Sequence, residues 1–328
     1  MSSEAVYYNE ERKKLLLGKS VAVLGYGSQG RAQALNLRDS GLDVRVANRG
    51  DEYCEKALSD GFKIHKFEDA VDGADLVLML IPEHAQPEIY NLIEARLKSG
   101  VMLVVSHGFS LHFETVIPKP NMDVAILAPR MPGKPIRESY LEGTGIPAFY
   151  GVINNASGNC EDKVLSLADN LGYTKKGVIV TSLKEETEVD LFIEQFLLPR
   201  LIHLLEQSFN FLIQKDVSPE VAHMEVFSSG ELADLLKIAS KEGLYEAWTN
   251  HASPTCRYGI LKGIERCEQR TDYTEEMERV LSDIRNGNFV DKLKEEYEVN
   301  LENLTKFDTA NDKKPISKTQ LSIRKLFT

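Results

Sequence analysis

Ser20-Val-Ala-Val-Leu24 runs directly into Gly25-Tyr-Gly27-Ser-Gln-Gly30 and then into Arg31-Ala-Gln-Ala-Leu-Asn-Leu37. A β-rich run, a glycine-spaced turn and a stretch of good helix formers make the opening of a β-α-β unit. In that context the glycines are a dinucleotide fingerprint: the first permits a tight turn, the second lets the backbone approach a pyrophosphate, and the third allows close helix–strand packing. Gly25, Tyr26, Gly27, Ser28, Gln29 and Gly30 are therefore the candidate cofactor cradle. The second strand ends near Asn48, where such folds place an acid against ribose hydroxyls or an arginine against a 2′-phosphate. Arg49 and Asp51 offer both chemistries, and Asp51 with Glu52 would repel a phosphate. NADH is the favoured cofactor, with NADPH tolerated.

Outward from this unit the strand, turn and helix pattern repeats, with β-rich runs at residues 20–25, 43–48, 75–81, 101–107, 123–128 and 147–153. The run Leu76-Val-Leu-Met-Leu-Ile81 is apolar throughout, as in a strand covered on both faces. The expectation is an α/β fold: an N-terminal Rossmann-type, doubly wound, mainly parallel sheet over residues 1–182. From residue 183 onward charged and apolar residues recur at helical spacing, so residues 183–328 read as an all-α domain. Breaks are expected near Pro199, Ser218-Pro219, Gly243, Pro254, Gly259 and Gly287, and residues 306–314 read as a solvated connection before a last short helix.

The chain has 328 residues and a formal net charge of −11, with 50 acidic against 39 basic residues, which argues against a nucleic-acid partner. Cys54, Cys160, Cys256 and Cys267 form no CxxC pair, so neither a disulfide framework nor a zinc site is suggested. The N-terminus lacks an apolar signal core and no apolar stretch is long enough to span a bilayer, so a cytoplasmic location without membrane association is expected.

Asp190 and Glu194 are four apart, with Glu186 four positions earlier, so a helix would put all three carboxylates on one side. Such a face is either solvated surface or a site for a bridging cation, and all-oxygen ligation favours Mg²⁺. Two strand ends also carry polar groups, Ser106-His107-Gly108-Phe109 and Ala128-Pro129-Arg130-Met131-Pro132-Gly133. His107 is either a proton carrier and substrate contact or a hydrogen-bonded structural residue. Arg130 presents a planar fork matched to carboxylates. His107 and Arg130 are the candidate catalytic residues, and Gly133 joins the candidate cofactor set.

These segments, in order, resemble the ketol-acid reductoisomerase family of the short-chain class. The likeness extends through Glu185-Glu-Thr-Glu188, Asp190-Leu-Phe192, Glu194-Gln195, Pro219-Glu-Val-Ala222 with Glu225, Ser253, Tyr258-Gly259, Val280-Leu-Ser-Asp-Ile-Arg-Asn-Gly-Asn-Phe289 and Pro315-Ile-Ser-Lys318. The resemblance implies a knotted helical second domain and a Mg²⁺-dependent enzyme of branched-chain amino-acid synthesis. It would act on a 2-hydroxy-3-keto acid such as acetolactate by alkyl migration followed by hydride reduction from NADH or NADPH. It also implies that Asp190 bridges two ions, that Glu194 binds one, that Ser253 contacts the substrate carboxylate, and that a homodimer, or a multiple of it, brings Glu225 from a second subunit.

Three positions depart from the family pattern. The family's lysine after Ala-Pro is Arg130, which keeps the charge but does not readily pass a proton; Lys134 is the nearby alternative. The glutamate expected four residues after Glu225 is replaced by Ser229, and the next acid is Glu231, which a regular helix would turn about a third of a turn away. The loop serines that commonly hold a 2′-phosphate are replaced near Asp51 and Tyr53. Either a local bulge or insertion turns Glu231 inward or the second metal is weakly held, and the leading reading is a reductoisomerase with a rearranged second metal site. One alternative is a 2-keto acid reductase of the same family without isomerase activity; another is a non-catalytic cofactor-binding dimer.

Overall fold

The computed structural model describes residues 4–270 and 272–327, and the chain divides into two compact units, Met1–Asp190 and Leu191–Thr328. The first is built on eight strands: β1 (Ser20–Leu24), β2 (Asp43–Ala47), β3 (Ile64–His65), β4 (Leu76–Met79), β5 (Met102–Val105), β6 (Asp123–Pro129), β7 (Ala148–Asn154) and β8 (Val178–Val180). They form one sheet in the order β3-β2-β1-β4-β5-β6-β7-β8. Strand order reverses direction between β1 and β4, which leaves a crevice at their carboxyl ends where such sheets take ligands.

The apolar strand residues alternate between two clusters, one on each face. Val21, Val23, Leu76, Leu78, Met102 and Val104 belong to one; Ala22, Leu24, Val77, Met79, Leu103 and Val105 belong to the other. Burial on both faces is why these strands read as unbroken apolar runs. The six expected runs all form strands. β3 and β8, of two and three residues, carry too little pattern to be read locally.

Most neighbouring strands are parallel, but β7 runs antiparallel to β6. The helix Gly133–Glu142 leaves the end of β6, stops at Gly143 in the left-handed region, and the chain returns beside its own point of departure, where the Arg130 N–H donates to the Pro147 carbonyl at 3.1 Å. A return to the same edge forces the reversed direction.

The second unit is helical over its described residues, with two π-helical turns at Ile193–Leu197 and Met224–Ser228. Breaks fall at Ser218-Pro219, Gly243, Pro254 and Gly287. Three expectations are corrected. Pro199 is no break: the backbone stays helical from the π-helical turn Ile193–Leu197 directly into the helix Leu198–Ile213, in whose first turn Pro199 lies. Gly259 lies inside the helix Pro254–Arg270, which also carries Gly263, each glycine costing about 1 kcal/mol against alanine. Residues 306–314 fall largely within the helix Glu302–Asp312, whose Lys306 pairs with Glu302 one turn earlier at 2.6 Å, and the helix after it, Pro315–Phe327, spans 13 residues. Among the described residues no helix is long and apolar enough to cross a membrane.

Candidate functional site

His107 and Arg130 follow the carboxyl ends of β5 and β6, and the helix Leu183–Phe192 brings Glu186 and Asp190 against them. The approach depends on Gly108. A Cβ there would stand 2.2 Å from Thr187 Oγ1 and 2.7 Å from Leu183 Cδ1, so any side chain would push the helix away. The Gly108 N–H instead donates to Glu186 Oε2 at 2.9 Å.

Four charged or ionisable groups meet there. Arg130 donates through Nη1 to Asp190 Oδ1 at 2.8 Å and through Nη2 to Glu186 Oε1 at 2.9 Å. His107 Nδ1 lies 3.4 Å from Glu186 and 3.5 Å from Asp190. The guanidinium also rests over the Phe149 ring at 5.0 Å, and its Nε donates to the Ala128 carbonyl at 3.3 Å. Glu186 is fully buried, whereas the Asp190 side chain keeps 30% of its surface in solvent.

Burial alone would raise the Glu186 carboxyl, but the His107 ring, the Arg130 charge and the Gly108 N–H outweigh it and hold it below the usual carboxylate range. Burial would lower the His107 ring in the same way; the Glu186 and Asp190 charges more than offset that and hold it above its ordinary value. The cluster is thus two carboxylates facing a permanent cation and a readily protonated ring. Ligand atoms of His107, Glu186 and Asp190 lie within 4.8 Å of one another, close enough to hold a metal ion. Their hard carboxylate oxygens fit Mg²⁺. Lys134 takes no part: its side chain is exposed and pairs with Glu138.

The glycine-rich turn lies at the carboxyl end of β1. Gly25 has φ +103, and a Cβ on Gly30 would stand 2.0 Å from the Gly25 carbonyl oxygen, so both positions need glycine. Gly27 precedes the helix Ser28–Asp39, whose free N–H groups face the turn. The Tyr26 side chain belongs to the core, its ring fully buried and its hydroxyl donating to Asp60, so only its backbone lines the turn. The Gly133 N–H donates to Ser28 Oγ at 3.2 Å, and Gln29 Nε2 donates to the Met131 carbonyl at 3.0 Å, so the β1 and β6 loops are joined. Gln33 extends the link, donating to Gln29 Oε1 and to Ser106 Oγ. It was not singled out in the sequence, although an amide on the inward face of an apolar helix was the available signal.

After β2, Asp51 caps the helix Glu52–Ser59, accepting from the Tyr53 N–H and Asn48 Nδ2, while its other oxygen accepts from Arg49 Nε at 3.0 Å. Burial pushes the Asp51 carboxyl up, but Arg49, Tyr53 and Asn48 together hold it low, so it is ionised.

Residues 15–177 match the family model described as acetohydroxy acid isomeroreductase, NADPH-binding domain, and residues 183–328 match that of the ketol-acid reductoisomerase C-terminal domain. The curated ketol-acid reductoisomerase (NADP(+)) of Pyrobaculum aerophilum is 39% identical over 95% of this chain and 94% of its own length. The chain belongs to the ketol-acid reductoisomerase family. A relative of the same name from Pyrobaculum calidifontis is 38% identical over the same shares. The solved NADH-preferring ketol-acid reductoisomerase from an uncultured archaeon superposes with a TM-score of 0.92, at 31% identity and 99% coverage of each chain. A semialdehyde dehydrogenase NAD-binding protein from Cupriavidus necator, at TM-score 0.61 and 16% identity, shares only the fold.

The remaining residues tied to metal and substrate by the ketol-acid reductoisomerase resemblance lie in the second unit. Glu194 and Glu225 each sit on a π-helical turn with exposed side chains. The even four-residue spacing therefore holds for Glu186 and Asp190 but gives way at Glu194. Between Glu225 and Glu231 the helix is interrupted. Gly230 adopts φ +82 and Glu231 opens the next helix, exposed, its N–H donating to Ser229 Oγ at 3.3 Å. The angle expected from a regular helix does not apply across that break. Ser253 is exposed and accepts from the Cys256 N–H, which caps the helix Pro254–Arg270.

Proposed function

We propose that this chain works as a Mg²⁺-dependent, cytoplasmic reductoisomerase of branched-chain amino-acid synthesis, with NADH favoured over NADPH. Membership of the family makes it an NAD(P)H-dependent oxidoreductase with ketol-acid reductoisomerase activity. The observation that carries the site assignment is the meeting of Asp190, Glu186, His107 and Arg130 at the carboxyl edge of the sheet.

In this reading Asp190 and Glu194 hold Mg²⁺, and Glu225, with Glu231 as its candidate companion, comes from a second copy. When bound, Mg²⁺ would polarise the substrate oxygens and the reduced nicotinamide would supply hydride. Glu186, buried and fixed by the Gly108 N–H, orients His107. His107 holds and releases a proton at the cluster, and Arg130, permanently charged, offsets negative charge without shuttling protons. Ser253 meets the substrate carboxylate. The N–H groups of Gly27, Ser28, Gln29 and Gly30 bind pyrophosphate, with Gly133 closing against Ser28.

NADH preference rests on Asp51. Its ionised carboxylate at the end of β2 accepts ribose hydroxyls and repels a 2′-phosphate, and Arg49 is already paired to it. A homodimer is supported by the apolar surface of the helix Leu198–Ile213, where Ile202 is 65%, Leu204 61% and Phe211 58% exposed.

One assay tests the whole reading. Purified protein with Mg²⁺ is offered acetolactate and, separately, 3-hydroxy-2-keto-isovalerate, with each nicotinamide. Turnover of both with higher kcat/KM for NADH is expected. Turnover of the second compound alone would leave a reductase without isomerase activity, no turnover of either would leave a cofactor-binding dimer, and a large NADPH preference would remove the role of Asp51.

A further inference from the structure

A single guanidinium bridges the two carboxylates of the first unit that are placed to hold a cation. All three of its nitrogens are engaged: Nη1 on Asp190, Nη2 on Glu186 and Nε on the Ala128 carbonyl. The Phe149 ring beneath supports the plane of the fork. We infer that Arg130 is a built-in counter-ion of the cluster, so that a divalent cation at Asp190 competes with the guanidinium for that carboxylate. This rests on the reading of Asp190 as a metal ligand.

Three features lead to it. Glu186 has no exposed side-chain surface, and a buried carboxylate needs a permanent partner whether or not a metal is present. An arginine fork bonds two carboxylates simultaneously, whereas a lysine ammonium acts as a single point charge. The bridge is also asymmetric: its Glu186 end is sealed, with Oε2 held by the Gly108 N–H, while its Asp190 end is 30% exposed. The solvent-facing bond is therefore the one a cation reaches. The 2.8 Å Nη1 bond takes Asp190 Oδ1, so a dication at Asp190 either breaks that bond or is held through Oδ2 beside a like charge. Arg130 thereby sets the affinity of the site, a role distinct from any contact with the reacting atoms.

The test uses full-length protein stripped with chelator and titrated with Mn²⁺ alone, with free ion read by electron paramagnetic resonance. Arg130→Lys, which keeps the charge but not the fork, is expected to bind Mn²⁺ roughly tenfold tighter than the unsubstituted protein, because a single point charge no longer holds both carboxylates against the cation. Equal or weaker binding overturns the proposal. Asp190→Asn separates it from the reading beneath: if Asp190→Asn loses Mn²⁺ while Arg130→Lys matches the unsubstituted protein, only the counter-ion role fails. If Asp190→Asn binds as before, the metal assignment itself fails and the proposal with it. A measurement on the unsubstituted protein is independent of how any variant folds. Saturating Mg²⁺ should move one arginine Nε–H resonance in a ¹⁵N spectrum, and a spectrum with no arginine resonance moved overturns the proposal.

Discussion

The two units of this chain meet their apolar surface in opposite ways. In the first, the residues of β1, β4 and β5 alternate between two buried clusters, and all of them but Ser20 are buried. In the second, few large apolar side chains are buried, Phe209 and Ile284 among them, while Leu204, Phe211, Val221, Phe227, Tyr258 and Phe307 are each more than half exposed. A sheet covered on both faces closes its own core. Helices with apolar outer faces do so only against another surface, for which a second copy is the proposed occupant. The candidate chemistry follows the same division: the His107, Arg130, Glu186 and Asp190 cluster is assembled within the closed unit, whereas Glu194, Glu225, Glu231 and Ser253 stand exposed in the open one.

The sharpest way to break this comparison is at Asp190. Asp190→Asn should cut Mg²⁺-dependent turnover roughly a hundredfold or more, while nicotinamide binding, followed by fluorescence titration, stays within twofold because the glycine-rich cradle is untouched. Loss of both together would mean that the cluster and the cradle are one site. Next in size is assembly. Ile202→Glu should leave a monomer in sedimentation velocity, with helical signal reduced and the first unit still binding nicotinamide. A dimer that persists would show that this helix face is not the one covered.

A smaller effect is expected at the seam between β5 and its helix. Gly108→Ala should lower stability by about 1–3 kcal/mol in urea unfolding, and an unchanged midpoint would mean that the seam is loose. The smallest concerns a purely structural pair between Asp123 at the start of β6 and Lys163 on the helix Cys160–Leu171. Burial pushes the Asp123 carboxyl up, but Lys163 at 2.7 Å and Ser157 outweigh it and hold it low. A depressed carboxyl adds stability above its unfolded value, near pH 3.9, and loses it as pH falls through the folded one. Asp123→Asn should therefore destabilise by about 1–2 kcal/mol at pH 7, and the difference should shrink below about pH 4. A difference independent of pH would exclude the ion pair as its source.

Chain-local order was enough for much of this molecule. Ser20 to Leu37 specifies a strand, a turn and a helix within a few residues of one another, since glycine spacing and apolar runs act over that range. The helical texture after residue 183 and the breaks at Ser218-Pro219, Gly243 and Gly287 are local in the same sense. So is the shared face of Glu186 and Asp190, which needs only the helical repeat.

Folding decided what lies far apart in sequence. That Arg130 would lock onto Glu186 and Asp190, across 56 and 60 positions, depends on β5 and β6 lying side by side and on Gly108 admitting the helix. The reversed direction of β7 comes from where the chain returns to the sheet, and the burial of Tyr26 comes from its packing in the core with Phe62. The π-helical turns at Glu194 and Glu225 lie beyond a spacing rule that assumes a regular helix. Local pattern sets which element forms because its causes lie within a turn or a pleat. The partner of a charged side chain is set by packing between elements, and that exists only once the sheet has closed.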